Sequence, residues 1–182
     1  MQVPVGYECP EVPQKPESNE VQRQKSQQLI DCLHQLWQPA MARIGIDLDK
    51  PRLHTYEGDV ETRCGMSSGT SFYCPPSAEI YINEQRYDSS EEWWGLHYPH
   101  VVIHEYTHHL QNRAGILEAA ERLGVSREER IRRVELQAYC WTNRHVQMMP
   151  GLDFGKADYE ILKAWASDGD SPTHGSSGWA NH

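Results

Sequence analysis

No run of the 182 residues approaches the roughly 20 apolar positions that a membrane-crossing helix needs. Nor does Met1-Gln2-Val3-Pro4 open a signal peptide. As written, the chain reads as soluble and cytoplasmic, or extracytoplasmic if a leader has been removed. There is no CxxC pair among the five cysteines, which excludes the usual thiolate zinc ribbon. A basic stripe is missing too. Net charge is −9, and the one run of arginines (Arg127, Arg130, Arg132, Arg133) is interleaved with Glu128, Glu129 and Glu135. That pattern fits a solvated helix face with intrahelical ion pairs, and the overall charge argues against nucleic acid as a partner. No internal repeat is present.

What remains is an ordinary globular balance, 38% hydrophobic and 24% charged, in a chain long enough for one domain with a real core. Pro4, Pro10, Pro13 and Pro16 mark residues 1–18 as a flexible N-terminal arm, leaving 19–182 as a single domain. A helical pattern runs from about Asn19 through Leu29, Leu33 and Trp37, with Pro39 expected to kink or end it. Arg52 to Glu57 reads as a strand, Ser71 to Cys74 as a short extended piece, and Glu79 to Asn83 as a half-buried strand. Helices are expected from about Tyr98 to Ala114, from Leu117 to Leu123, and from a capping box of Ser126 with Glu129 to about Met148. A further helix over Lys156 to Ala166 precedes a Gly/Ser-rich tail. Strands early and helices late indicate an α+β fold.

The chemistry concentrates in His104-Glu105-Tyr106-Thr107-His108. Positions four apart stack on one helical face, so both imidazoles can reach a single cation. Glu105 lies where a carboxylate can take a proton from an activated water. Val101, Val102, Ile103, Tyr106 and Leu110 supply an apolar backing for such a helix. His97 and His100 are read as bystanders, on other faces or outside the helix.

A catalytic zinc normally takes three protein ligands and keeps one position open. Glu118, Glu121, Glu128, Glu129, Glu135 and Glu160 are the downstream carboxylates. Glu135 stands apart because it shares a helical face with Ile131 and Ala138, where a carboxylate is costly unless paired or metal-bound. Its alternatives are the third ligand position and a salt bridge to Arg132 or Arg133. Cys64 and Cys74 flank a Gly/Ser-rich stretch; a disulfide-closed loop and two free thiols are equally compatible with that spacing.

Several segments resemble the bacterial neutral zinc metallopeptidase family, part of the wider zincin group. They are Cys64-Gly65 with Phe72-Tyr73-Cys74-Pro75, Ile80-Tyr81-Ile82-Asn83, His104 to Gln111 as HExxHHxQ, Glu135-Leu136-Gln137-Ala138, and the weaker Thr173-His174-Gly175. The resemblance implies a small N-terminal sheet packed on a mostly helical core that carries the motif helix. It implies Zn2+ held by His104, His108 and Glu135, with Glu105 as general base in peptide-bond hydrolysis. It favours a Cys64–Cys74 disulfide, and it suggests strand Glu79–Asn83 as an edge that holds an extended peptide or protein substrate. His174 becomes a candidate oxyanion donor, its alternative being a histidine in a flexible tail. One departure stands out: Tyr139 occupies a position where the family typically carries an acidic residue suited to hold a ligand histidine. Support from His109 or Asn143, or a catalytically impaired zinc-stabilised peptide-binding module, are the corresponding alternatives; a separate alternative for the activity is a hydrolase of cell-wall peptide crosslinks.

Overall fold

A computed structural model describes residue 9, residues 18–84, residues 98–148 and residue 160 of the chain. The elements in order are α1 (Asn19–Ala42), β1 (Arg52–Tyr56), β2 (Asp59–Thr62), β3 (Gly65–Ser68), β4 (Phe72–Cys74), β5 (Glu79–Asn83), α2 (Tyr98–Arg113), α3 (Ile116–Glu121) and α4 (Arg127–Met148). The fold is α+β, with a small sheet region beside mostly helical content.

Helix α1 starts where the Ser18 side chain accepts a hydrogen bond from the Val21 N–H, capping one of the first turn's orphan donors. Its apolar stripe, Leu29, Ile30, Leu33, Trp37 and Met41, follows the helical repeat and is fully buried or nearly so. The helix runs through Pro39 rather than stopping there. An interior proline costs about 3 kcal/mol. Burying Trp37 and Met41 on either side offsets this, at roughly 1.5–3 kcal/mol for each large side chain.

Three strands form one sheet in the order β1-β5-β4. β1 runs parallel to β5, and β4 antiparallel to it. This corrects two expectations for Glu79–Asn83. The strand is central rather than an edge, and all five of its residues are buried rather than every second one. Ile80 and Ile82 join the main core with α1 and α2. On the other face Tyr81 is covered by aromatic neighbours, stacking on Phe72 and on His54, each with ring centroids 4.9 Å apart. Glu79 tolerates its position because Arg52 approaches to 2.6 Å and the Tyr81 hydroxyl donates to it at 2.8 Å. The outer strands are β1 and β4.

β2 and β3 form a separate antiparallel hairpin that the sequence reading missed. Its residues, Asp59 to Ser68, offer few apolar side chains, and Met66 is largely exposed. A Cys64–Cys74 disulfide fastens this hairpin to β4. A second disulfide joins Cys9 to Cys32 on α1, so Cys9 is buried against the helix. The rest of the Pro-rich arm up to residue 17 lies outside the described residues. Cys140 is a free, exposed thiol.

Contacts between α2 and α4 run in opposite order along the two helices: His100 meets Asn143, Thr107 meets Thr142, and Gln111 meets Val134 and Gln137. The two helices are thus antiparallel neighbours. Ser126 caps α4 by accepting from the Glu129 N–H, as its sequence signature suggests. The helix expected over Lys156 to Ala166 lies outside the described residues apart from Glu160, which is helical.

Candidate metal centre

The middle of α2 carries both motif histidines on the face turned toward α4. His104 Nε2 and His108 Nε2 are 3.1 Å apart, and Glu135 Oε2 lies 3.2 Å from the first and 3.5 Å from the second. Two imidazole nitrogens at that separation can share only one proton. Three donors at the corners of such a triangle match another arrangement: with ligand bonds near 2.0–2.1 Å and tetrahedral angles, donors sit about 3.3 Å from each other. A borderline-soft set of two imidazoles and one carboxylate suits zinc. Among the described residues these three are the only group of histidine, cysteine or acidic side chains close enough to hold an ion.

Electrostatics within the triad follow from its burial. Desolvation alone would raise the Glu135 carboxyl. Hydrogen bonds from His104 and His108, and their charge, hold it well below the usual carboxylate range instead. For His108 burial opposes charge, but Glu135 as hydrogen-bond and charge partner pushes its pKa up to about 9. Metal binding needs that imidazole neutral, so a cation and this proton compete for one place. Arg132 and Arg133, the alternative partners for Glu135, instead approach Glu129 at 2.8 Å each.

Glu105 points into the same cleft and is buried. Desolvation pushes its carboxyl upward, opposed by the charges of His104 and His108. A carboxyl moved toward neutral pH in this way is suited to exchanging protons.

The cleft has a volume of about 640 Å³ and is lined by β4 (Phe72, Tyr73), by α2 and by α4. Leu117, Ala120, Ile131 and Val134 give it an apolar wall beside Glu135. β4 is held against α2 through Tyr73, whose hydroxyl donates to His109 Nδ1 at 3.1 Å and accepts from the Asn112 amide at 2.8 Å. His109 Nε2–H in turn donates to the Asp49 carbonyl at 2.8 Å, and burial holds the pKa of this ring down to about 4. His109 therefore anchors the sheet and the loop after α1. Its ring nitrogens are taken by Tyr73 and Asp49 rather than by His104, His108 or Glu135, which corrects its reading as a substitute support.

His100 also corrects its reading. It lies one turn before His104 on the same face, buried, with its ring stacked on that of His104 at 6.2 Å between centroids and tilted against that of Tyr139 at 5.9 Å. Its Nε2 is 3.1 Å from Asn143 Oδ1. The four-residue spacing from His104 was the signal that could have found it. Gln111, the last residue of the HExxHHxQ pattern, directly supports His108, its Oε1 lying 2.8 Å from His108 Nδ1. His97 and His174 lie outside the described residues.

A family model described as "Putative neutral zinc metallopeptidase" matches residues 9–177. Among curated proteins the chain is similar to "Uncharacterized protein YpfJ" of Escherichia coli (strain K12), 29% identical over 148 residues, covering 74% of this chain and 51% of that protein. It is similar too to "Uncharacterized protein Rv2575" of Mycobacterium tuberculosis, 29% identical over 113 residues, covering 58% of this chain and 37% of that protein. The chain thus spans about half the length, or less, of the curated relatives it matches. No solved structure matches it.

Proposed function

The chain belongs to the neutral zinc metallopeptidase family, and from that premise we propose that it is a zinc-dependent peptide hydrolase whose ligands are His104, His108 and Glu135. The observation that carries this reading is the donor triangle of 3.1, 3.2 and 3.5 Å opening on a cleft that also contains Glu105. Zinc held there would supply Lewis acidity and activate the attacking water. Glu105 takes the proton from the attacking water and delivers it to the leaving amine, as its buried, upward-shifted carboxyl allows. His174 remains a proposed donor to the developing oxyanion.

Because β5 is internal, backbone pairing with an extended substrate is assigned to β4, the edge strand that lines the cleft through Phe72 and Tyr73. The wall of Leu117, Ala120, Ile131 and Val134 favours an apolar side chain next to the scissile bond. Two disulfides support work in an oxidising, extracytoplasmic setting. Among the described residues no helix is long and apolar enough to cross a membrane.

A zinc-stabilised peptide-binding module is the second reading, favoured by one observation: Tyr139 rather than a hydrogen-bonding acid packs against His104, at 4.8 Å between ring centroids. Glu105→Gln decides between them. Equal zinc content beside wild type, with hydrolysis of a peptide library abolished, supports the enzyme. A zinc-loaded wild type that cleaves nothing across broad peptide and cell-wall crosslink substrates favours the binding module.

A further inference from the structure

The two ligand histidines are held in different ways. A histidine's terminal torsion is broad and roughly two-fold, so something outside the residue must fix where Nε2 points. Metal-ligating imidazoles usually achieve this by donating the second ring N–H to an oxygen. His108 does so through Gln111. His104 does not: its Nδ1 is buried and has no hydrogen-bond partner among the described residues. What surrounds it is aromatic. Tyr139, His100 and His104 form a triangle of rings with centroid separations of 4.8, 5.9 and 6.2 Å. Asn143, on the turn of α4 after Tyr139, fixes the His100 ring through its 3.1 Å contact with Nε2.

We infer that Tyr139 and His100 are positioning residues that orient the His104 imidazole by ring packing instead of by a hydrogen bond. Rotating His104 about its terminal torsion would give up its stacking on His100 and its tilted packing against Tyr139, an arrangement that favours one ring orientation. The inference rests on the zinc-site reading above. It adds that shape rather than charge defines this half of the site. The Tyr139 hydroxyl is not needed for the role; the ring is.

Zinc affinity of chelator-stripped protein, measured by competition with a chromophoric chelator, tests this, with the visible spectrum of the cobalt-substituted protein as the geometric readout. Tyr139→Phe keeps the ring and is expected within about threefold of wild type, with an unchanged cobalt spectrum. Tyr139→Leu is expected to bind zinc about 10–100-fold more weakly, the usual loss when a ligand-orienting partner is removed, with displaced cobalt bands. His100→Leu is expected to behave likewise and serves if Tyr139→Leu does not fold. Wild-type affinity and spectrum in the leucine variants, or a loss in Tyr139→Phe equal to that in Tyr139→Leu, overturns the positioning role while leaving the metal centre intact. A wild type that takes up no zinc overturns the metal centre itself, and this inference with it.

Discussion

Gln111 and His108 form the most tightly specified contact of the site, with Gln111 Oε1 lying 2.8 Å from His108 Nδ1. The Gln111 amide nitrogen donates to the Val134 carbonyl and to Gln137 Oε1, each at 2.9 Å. With both amide hydrogens committed to α4, only the oxygen faces His108, so Nδ1 must carry the proton and Nε2 offers its lone pair. One side chain thereby sets the tautomer of His108 and its register against the helix carrying Glu135.

Gln111→Leu removes that acceptor and leaves a buried N–H without a partner. Zinc affinity is expected to fall about 10–100-fold, and unfolding stability by roughly 1–3 kcal/mol. Chelator competition and denaturant titration measure the two effects separately. Undiminished affinity in a folded variant would remove Gln111 from the site.

Zinc is expected to stabilise the fold, because a preformed triad binds metal only in the native state. At a free zinc concentration 100 times Kd the gain is about 2.7 kcal/mol. For a chain of this size that is a rise in Tm of roughly 5–10 °C. The rise should disappear in excess chelator and in Glu135→Gln, which keeps the side chain's shape but loses its charge. An identical rise in Glu135→Gln would show that the metal acts elsewhere.

The Cys64–Cys74 disulfide is expected to matter for the cleft as well as for stability. It closes a short loop, with a sequence separation of 10, and fastens the exposed β2–β3 hairpin to β4. Replacing both cysteines by serine is expected to cost about 2–3 kcal/mol. It should also raise amide exchange in Phe72 to Cys74 more than in β5, which is held on both sides. Uniform exchange across the two strands would mean that the bridge does not hold β4.

Acid sensitivity is expected from His145, far from the triad. Burial lowers its pKa to about 4, while the ring accepts from Trp37 Nε1 at 2.7 Å and donates through Nδ1 to the Trp141 carbonyl at 2.8 Å. In the unfolded chain a histidine titrates near 6.5. Between about pH 6.5 and 4 the unfolded state therefore binds the extra proton. The stability from this group is complete above pH 6.5 and is lost as pH falls through that window, by about 3 kcal/mol in total. His145→Gln, compared with wild type in chelator, should be less stable overall but show a shallower decline of Tm across that range. Parallel slopes would assign the acid sensitivity to other groups.

Much of this was legible in the chain itself. Helical spacing determined that His104 and His108 share a face, and the capping pattern of Ser126 with Glu129 determined where α4 begins. The apolar company of Glu135 marked it as a carboxylate that needed a partner. These are local properties, set by the 3.6-residue period and by the cost of burying charge. The tertiary structure alone decided the rest. Alternating Glu79 to Asn83 reads as a one-sided strand, yet Phe72 and His54 cover Tyr81 on its other face, and pairing with β1 and β4 on either side makes it internal. Whether His100 is a bystander or a neighbour of His104 depends on α4 bringing Tyr139 and Asn143 beside it. The pairing of Cys9 with Cys32 depends on where a distant residue meets α1. Sequence spacing fixes what one helix presents; only packing between elements fixes what that surface meets.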